Sequence, residues 1–141
     1  MEKFLISIYK LFVDGSLLDD LIQEGLIIPL FFPLILIPLI GVVAFYYVIN
    51  SVRFYKKRHW GLTMLISALI VFIVYISTCI SMAGKQIPKD PDNDKAGFLF
   101  NQGDSVFFIF SLQVFVGACL FFVIFSIILK WWSTNCRKTP F

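Results

Sequence analysis

Three long apolar runs without a charged residue constrain this chain more than any other feature. They cover residues 26–49, 61–83 and 105–129, and none of them contains Asp, Glu, Lys, Arg or His. About 20 helical residues, at a rise of 1.5 Å each, cross a hydrocarbon core of about 30 Å. The mean hydropathy of +0.87 agrees with this interpretation. We therefore predict an all-α integral membrane protein with three transmembrane helices.

The first 25 residues predict an amphipathic helical segment that lies in the headgroup plane and precedes the first span. Phe4, Ile8 and Leu11 recur at helical spacing, with polar residues between them. A second short helix is predicted over residues 17–23. A signal peptide is the competing interpretation, but Lys10 interrupts its apolar stretch and no A-x-A-like cleavage site follows.

Prolines distinguish the first span from the other two. Pro29 falls in its first turn, where a proline costs little. Pro33 and Pro38 fall inside, where each removes a backbone donor and clashes with the preceding turn. Kinks are therefore predicted at Pro33 and Pro38. They serve either as static packing features or as a hinge.

Small and polar residues in the second and third spans predict helix–helix contacts. Ser67, Thr78 and Ser81 belong to a hydroxyl stripe at helical spacing, which lets backbones approach closely. Gln113 and Gly117 lie one turn apart, so the glycine permits close approach while the amide bonds to a neighbouring helix. The predicted contacts are internal or with partner proteins, and a polar pore lining is the alternative.

A basic turn at residues 50–60 and a basic tail at residues 130–141 flank these spans. Charged groups at this density are too costly to place in hydrocarbon, so both segments are expected in water at a membrane face. Trp at such positions is typical of the interface, and the cations attract anionic lipid headgroups. The residues predicted to fix topology and contact headgroups are Arg53, Lys56, Lys57, Arg58, Trp60, Trp131 and Trp132.

The charge distribution predicts the orientation. Three spans place the basic turn and the C-terminal tail on one side, with seven Lys and Arg and no acid. The N-terminus and the polar loop at residues 84–104 share the other side, with five Lys and all nine acids. Because cytoplasmic loops are enriched in Lys and Arg, we predict that the N-terminus is outside and the C-terminus inside. The expected location is a bacterial inner membrane.

The sequence contains no recognisable arrangement of catalytic residues. No nucleophile–base pair or phosphate-binding loop is present, and the spans lack the ionisable groups of pumps and transporters. The acids Asp90, Asp92 and Asp94 begin like a calcium loop, but Lys95 stands where glycine is needed and Asn101 where glutamate is needed. We expect no enzymatic activity, no cofactor, no metal site and no nucleic-acid partner.

Three functions fit this pattern. The first is a non-catalytic small membrane subunit that scaffolds or anchors a larger complex of integral membrane proteins. Such a complex is an envelope-spanning machine, a secretion apparatus or a respiratory complex. The second rests on topology alone: three spans, N-outside and C-inside, with a basic tail, are similar to the plan of class I phage holins. That resemblance implies a self-assembling pore. The third is a membrane-embedded immunity or inhibitor protein.

Overall fold

The computed structural model describes Ile6, Tyr9 and residues 15–48, 57–89 and 97–130. These residues are helical apart from turns and one isolated antiparallel bridge between Pro88 and Phe98. The helices, in chain order, are α1 (Gly15–Gln23), α2 (Ile27–Val43), α3 (Lys57–Gly84) and α4 (Asp104–Lys130). A π-helical turn, Ala44–Val48, follows α2 directly.

Three helices are long and apolar enough to cross a membrane: Ile27–Tyr47, Arg58–Gly84 and Asp104–Lys130. This confirms the prediction of an all-helical chain with three membrane-spanning helices for the described residues, by length and composition. Helix α3 begins at Lys57, four residues before the apolar run itself. The helix therefore includes the last part of the basic turn.

Several predicted features lie outside the described residues. They include residues 1–5, 7, 8 and 10–14 of the N-terminal interfacial segment, the acidic stretch that begins at Asp90, and residues 131–141 of the C-terminal tail. The predicted headgroup contacts at Arg53, Lys56, Trp131 and Trp132 also lie there.

A glycine-terminated turn separates α1 from α2. The Leu26 amide donates to Leu21 O (2.9 Å), and the Gly25 amide donates to Ile22 O (3.0 Å). This is the Schellman pattern, in which glycine adopts a left-handed conformation just beyond the helix. Gly25 has that conformation, with φ of +64°. The turn lets a second helix begin at Ile27 without a long linker.

The chain forms two compact units. The first comprises Met1–Phe32 and Phe72–Val114, and the second comprises Pro33–Val71 and Phe115–Phe141. In the first unit Tyr75, Phe107 and Phe110 are among the buried aromatic side chains. The second unit has a buried cluster of its own, made of Val42, Phe45, Tyr46 and Phe122.

Candidate functional site

A buried carboxylate in the first unit ties α1 to the loop between α3 and α4. Asp20 is only 2% exposed. Its Oδ2 accepts hydrogen bonds from the Phe100 amide (2.8 Å) and from Gln102 Nε2, while its Oδ1 lies 3.3 Å from Lys89 Nζ. Gln23 Nε2 adds a bond to the Lys89 carbonyl (3.0 Å). A charge removed from water requires such partners, and among the described residues Lys89, Phe100 and Gln102 of the loop supply them to the carboxylate.

The loop itself is held by backbone hydrogen bonds on both sides of the Pro88–Phe98 bridge. The Lys89 amide donates to Gly97 O (2.9 Å), and the Leu99 amide donates to Ile87 O (2.8 Å). Phe100 has a φ of +57°, which is costly for a residue other than glycine. Its amide bond to Asp20 and its buried ring stabilise that conformation.

A directed chain of hydrogen bonds joins two tyrosines in the same unit. The Tyr75 hydroxyl donates to the Leu30 carbonyl (2.5 Å). Because its single proton is used there, Tyr9 is the donor in the 2.8 Å bond between the two hydroxyls. Burial raises the pKa of Tyr9 to about 12, partly offset by its bond to Tyr75. Both rings contact Phe110, so Tyr9 is held against α3 and α4 in this unit.

In the second unit, one buried serine connects three helical segments. Ser126 Oγ on α4 accepts a hydrogen bond from Trp60 Nε1 on α3 (2.9 Å). It shares a second bond with Tyr46 OH in the π-turn (2.7 Å), in which either hydroxyl donates. The Trp60 ring also packs edge-on against Phe122, with centroids 5.6 Å apart. The sequence predicts Trp60 at the lipid headgroups, and in the structure its indole N–H donates to Ser126 within the chain.

Helices α2 and α3 approach closely at Gly41. A Cβ at this position would overlap Ser67 Oγ and would lie 3.3 Å from Phe122 Cε2. Ser67 is buried, and its hydroxyl donates to Thr63 O (2.8 Å), so the close contact leaves no unsatisfied donor. Next to this contact an open groove of about 490 Å³ is lined by Ile37, Ile40, Gly41, Thr63, Ile66, Ser67 and Ile70.

The other residues of the predicted hydroxyl stripe lie in the first unit. Thr78 is half-buried, and its hydroxyl donates to Val74 O (2.7 Å) on the same helix. Ser81 is exposed. Within the described residues, Ser67 therefore has the close helix–helix contact, Thr78 bonds to its own backbone, and Ser81 faces outward.

Gln113 and Gly117 have different surroundings although they lie one turn apart on α4. Gln113 is exposed, and its amide makes no hydrogen bond to another described residue. Gly117 is buried, and a Cβ there would lie 4.0 Å from Leu34 Cδ1. The exposed residues beside Gln113 in the first unit are apolar, with Ile109 55% and Leu112 47% exposed. The carboxamide is thus a polar group on an apolar surface.

The predicted prolines and the described cations of the basic turn lie on α2 and α3. Pro33 and Pro38 are both inside α2. Lys57 is the first residue of α3, and Arg58, which follows it, is exposed.

No metal-binding arrangement is present in the described part of the chain. Among those residues, no group of three or more His, Cys, Asp or Glu is placed to hold a metal ion. Cys79 and Cys119 are both free thiols. Comparisons with protein-family models, curated proteins and solved structures found no match to this chain.

Sequence reasoning missed Asp20, Gly41 and Ser126. For Asp20 a signal exists, because it lies three residues after Leu17 and so shares the buried face of α1 with Leu17 and Leu21. Gly41 and Ser126 carry weaker signals. Each is a small residue inside an apolar run, and nothing in the spacing indicates its neighbour on another helix.

Proposed function

We propose that this chain is a non-catalytic membrane subunit that packs against other integral membrane proteins through the surface of α4 around Gln113. The assembly is a hetero-complex, in which the chain scaffolds or anchors its partners. An envelope-spanning machine, a secretion apparatus and a respiratory complex are assemblies of this kind.

The exposed amide of Gln113 is the observation that supports this proposal most strongly. It stands nine residues into a helix that is long and apolar enough to span a membrane, about 14 Å from the start of that helix. A carboxamide without a hydrogen-bond partner costs free energy in hydrocarbon, where no water replaces the missing bond. A polar side chain of a neighbouring helix would supply that bond, and such bonds contribute roughly 0.6–2 kcal/mol in membranes.

The surroundings of Gln113 suit a helix contact. Ile109 and Leu112 flank it in the first unit and are about half exposed. An apolar stripe with a single polar member is typical of helix interfaces in which the polar residue fixes register and partner choice. The hydroxyls of Thr63, Ser67 and Thr78, in contrast, donate to carbonyls of their own helix. These three hydroxyl groups therefore need no hydrogen-bond acceptor from another protein.

The orientation and location are part of the proposal. Seven Lys and Arg, with no acid, lie in the 50–60 turn and the C-terminal tail, so these segments are placed in the cytoplasm. The N-terminus and the 84–104 loop are then outside, in a bacterial inner membrane. The N-terminal amphipathic segment lies in the outer headgroup plane, and the cytoplasmic cations contact anionic headgroups.

The experiment is purification of the tagged full-length chain from its native host in mild detergent, beside the Gln113→Leu variant. The wild-type chain is expected to bring a fixed set of integral membrane proteins in constant ratio. Gln113→Leu should weaken that association about three- to thirtyfold, as loss of a bond of 0.6–2 kcal/mol implies. Its own helical content and thermal stability should stay unchanged, because Gln113 makes no described hydrogen bond within the chain.

Other results would favour the alternative functions. A large homo-oligomer without partners, together with dye leakage from liposomes, would replace the proposal with a holin-like pore. A single co-purifying toxin would replace it with an immunity protein. Unchanged association in Gln113→Leu would remove Gln113 from the interface and leave the proposal without its main support.

A further inference from the structure

The open groove between α2 and α3 in the second unit presents an almost wholly carbon surface. Four isoleucines supply most of its lining, and Ile40, Ile66 and Ile70 are 44–63% exposed. Its two hydroxyl groups are used internally, because Thr63 donates to His59 O (2.9 Å) and Ser67 donates to Thr63 O (2.8 Å). The groove therefore suits an apolar occupant that needs no hydrogen bonds.

The position of the groove along α3 matches one leaflet of a bilayer. Thr63 lies two residues after the start of the apolar run at residue 61, and Ile70 lies nine residues after it. At 1.5 Å per residue the lining runs from about 3 to about 14 Å from that start. Half of a hydrocarbon core measures about 15 Å, so an occupant lies at the depth of acyl chains in the leaflet beside the basic turn.

The length of the groove distinguishes an acyl chain from a partner helix. Its lining on α3 covers only two turns, about 10 Å. A transmembrane helix packs along a seam that follows most of the core of about 30 Å. A groove this short matches a flexible hydrocarbon chain better than a rigid cylinder about 10 Å wide.

The positive charges at the start of α3 favour a lipid with an anionic headgroup. Helix α3 opens with Lys57 and Arg58, and Arg53 and Lys56 precede them in the sequence without any acid between. Arg58 is exposed, and it belongs to the same compact unit as the groove. Cations beside a membrane attract anionic lipids with about 1 kcal/mol each, which is about fivefold in affinity per charge.

We propose that this groove is a specific binding site for an anionic phospholipid. One acyl chain lies against Ile66 and Ile70, and the phosphate headgroup contacts the first turn of α3 at Arg58. This site lies in the second unit and is independent of the contact proposed at Gln113.

The test is native mass spectrometry of the full-length chain after reconstitution with phosphatidylglycerol or phosphatidylcholine of identical acyl chains. The wild-type chain should retain one phosphatidylglycerol and should exchange it for phosphatidylcholine only at a several-fold excess. Arg58→Gln should lower the affinity for phosphatidylglycerol about fivefold. This comparison of lipids needs no change in the groove itself.

Two tryptophan variants then locate the acyl chain. Ile66→Trp fills the groove and should abolish retention, whereas Leu65→Trp adds the same ring at a half-exposed residue that does not line the groove. Leu65→Trp should behave as wild type. Equal retention of the two lipids, or full retention by a folded Ile66→Trp, would overturn the proposal. A dimer that Ile66→Trp disrupts, with lipid retention unchanged, would assign the groove to a second copy instead.

Discussion

The carboxylate of Asp20 and the ammonium group of Lys89 form an ion pair of unequal burial. Their atoms lie 3.3 Å apart, but the Asp20 side chain is 3% exposed and that of Lys89 is 36% exposed. Solvent screens the lysine, so the pair itself contributes little to stability. The hydrogen bond that Asp20 accepts from the Phe100 amide is buried, and the one from Gln102 Nε2 is partly buried. These two bonds should therefore contribute more to stability than the ion pair does.

Substitution of Asp20 should therefore lower the stability more than substitution of Lys89 does. Asp20→Ala leaves the buried Phe100 amide without an acceptor and should lower the free energy of unfolding by about 1–3 kcal/mol. Lys89→Gln should cost less than about 1 kcal/mol. Thermal unfolding of the purified variants in one detergent measures both. Equal losses would show that the ion pair, and not the amide bond, holds the loop.

Ser126 should couple Tyr46 to α4 in the second unit. Ser126→Ala removes the shared partner of Tyr46 OH and Trp60 Nε1, with an expected loss of about 0.6–2 kcal/mol. Trp60→Phe retains a ring beside Phe122 and removes the indole N–H donor together with part of the packing surface of Trp60. A double-mutant cycle of Tyr46→Phe and Ser126→Ala isolates the hydroxyl pair. If the losses of stability from Tyr46→Phe and Ser126→Ala were strictly additive, that result would contradict a hydrogen bond between the two hydroxyls.

Gly41 should tolerate alanine poorly because Ser67 occupies the space of a methyl group. Gly41→Ala is expected to destabilise the chain by about 1–3 kcal/mol, as in other overpacked contacts. Adding Ser67→Ala should restore part of the loss, since it removes the overlapping oxygen. Gly61→Ala is the matched control: nothing lies within 4 Å of its Cβ, and alanine there favours the helix by about 1 kcal/mol. Equal free energies of unfolding for Gly41→Ala and Gly61→Ala would contradict the close approach of α2 and α3 at Gly41.

Tyr9 should ionise near pH 12. Its folded pKa lies above the ordinary value of 10.0, so the folded state keeps a proton that the unfolded chain releases. The stability that Tyr9 contributes is complete below pH 10 and is lost as the pH rises through about 12. The titration of Tyr9 is measured as the difference in phenolate absorbance between wild type and Tyr9→Phe. A midpoint near 10 in that difference would mean that Tyr9 is solvated.

The membrane spans could be predicted from the sequence because each one is a continuous run of apolar residues. A long charge-free run has one stable solution in hydrocarbon, the helix, and its length fixes where it fits. Contacts between helices carry no comparable signal. Ser67 stands out as a small hydroxyl residue, yet only the folded chain shows that Gly41 is its neighbour.

Tyr46 shows a second reason why side-chain environments escaped prediction. In the sequence it stands with Tyr47 near the end of a span, a position typical of the lipid interface. In the structure the π-turn places Tyr46 in the core, where its hydroxyl meets Ser126. A local change from α to π geometry re-aims a side chain, and no periodicity in the sequence predicts it.

Site-specific photo-crosslinking at position 113 in the native host tests the central claim most directly. A photoreactive residue replaces Gln113, and the control replaces Ile80 on α3, which is 52% exposed. We predict a covalent adduct between position 113 and one other integral membrane protein, with no such adduct from position 80. Adducts only to lipid, identical adducts from both positions, or a product with the mass of two copies of this chain would contradict a hetero-complex built on Gln113.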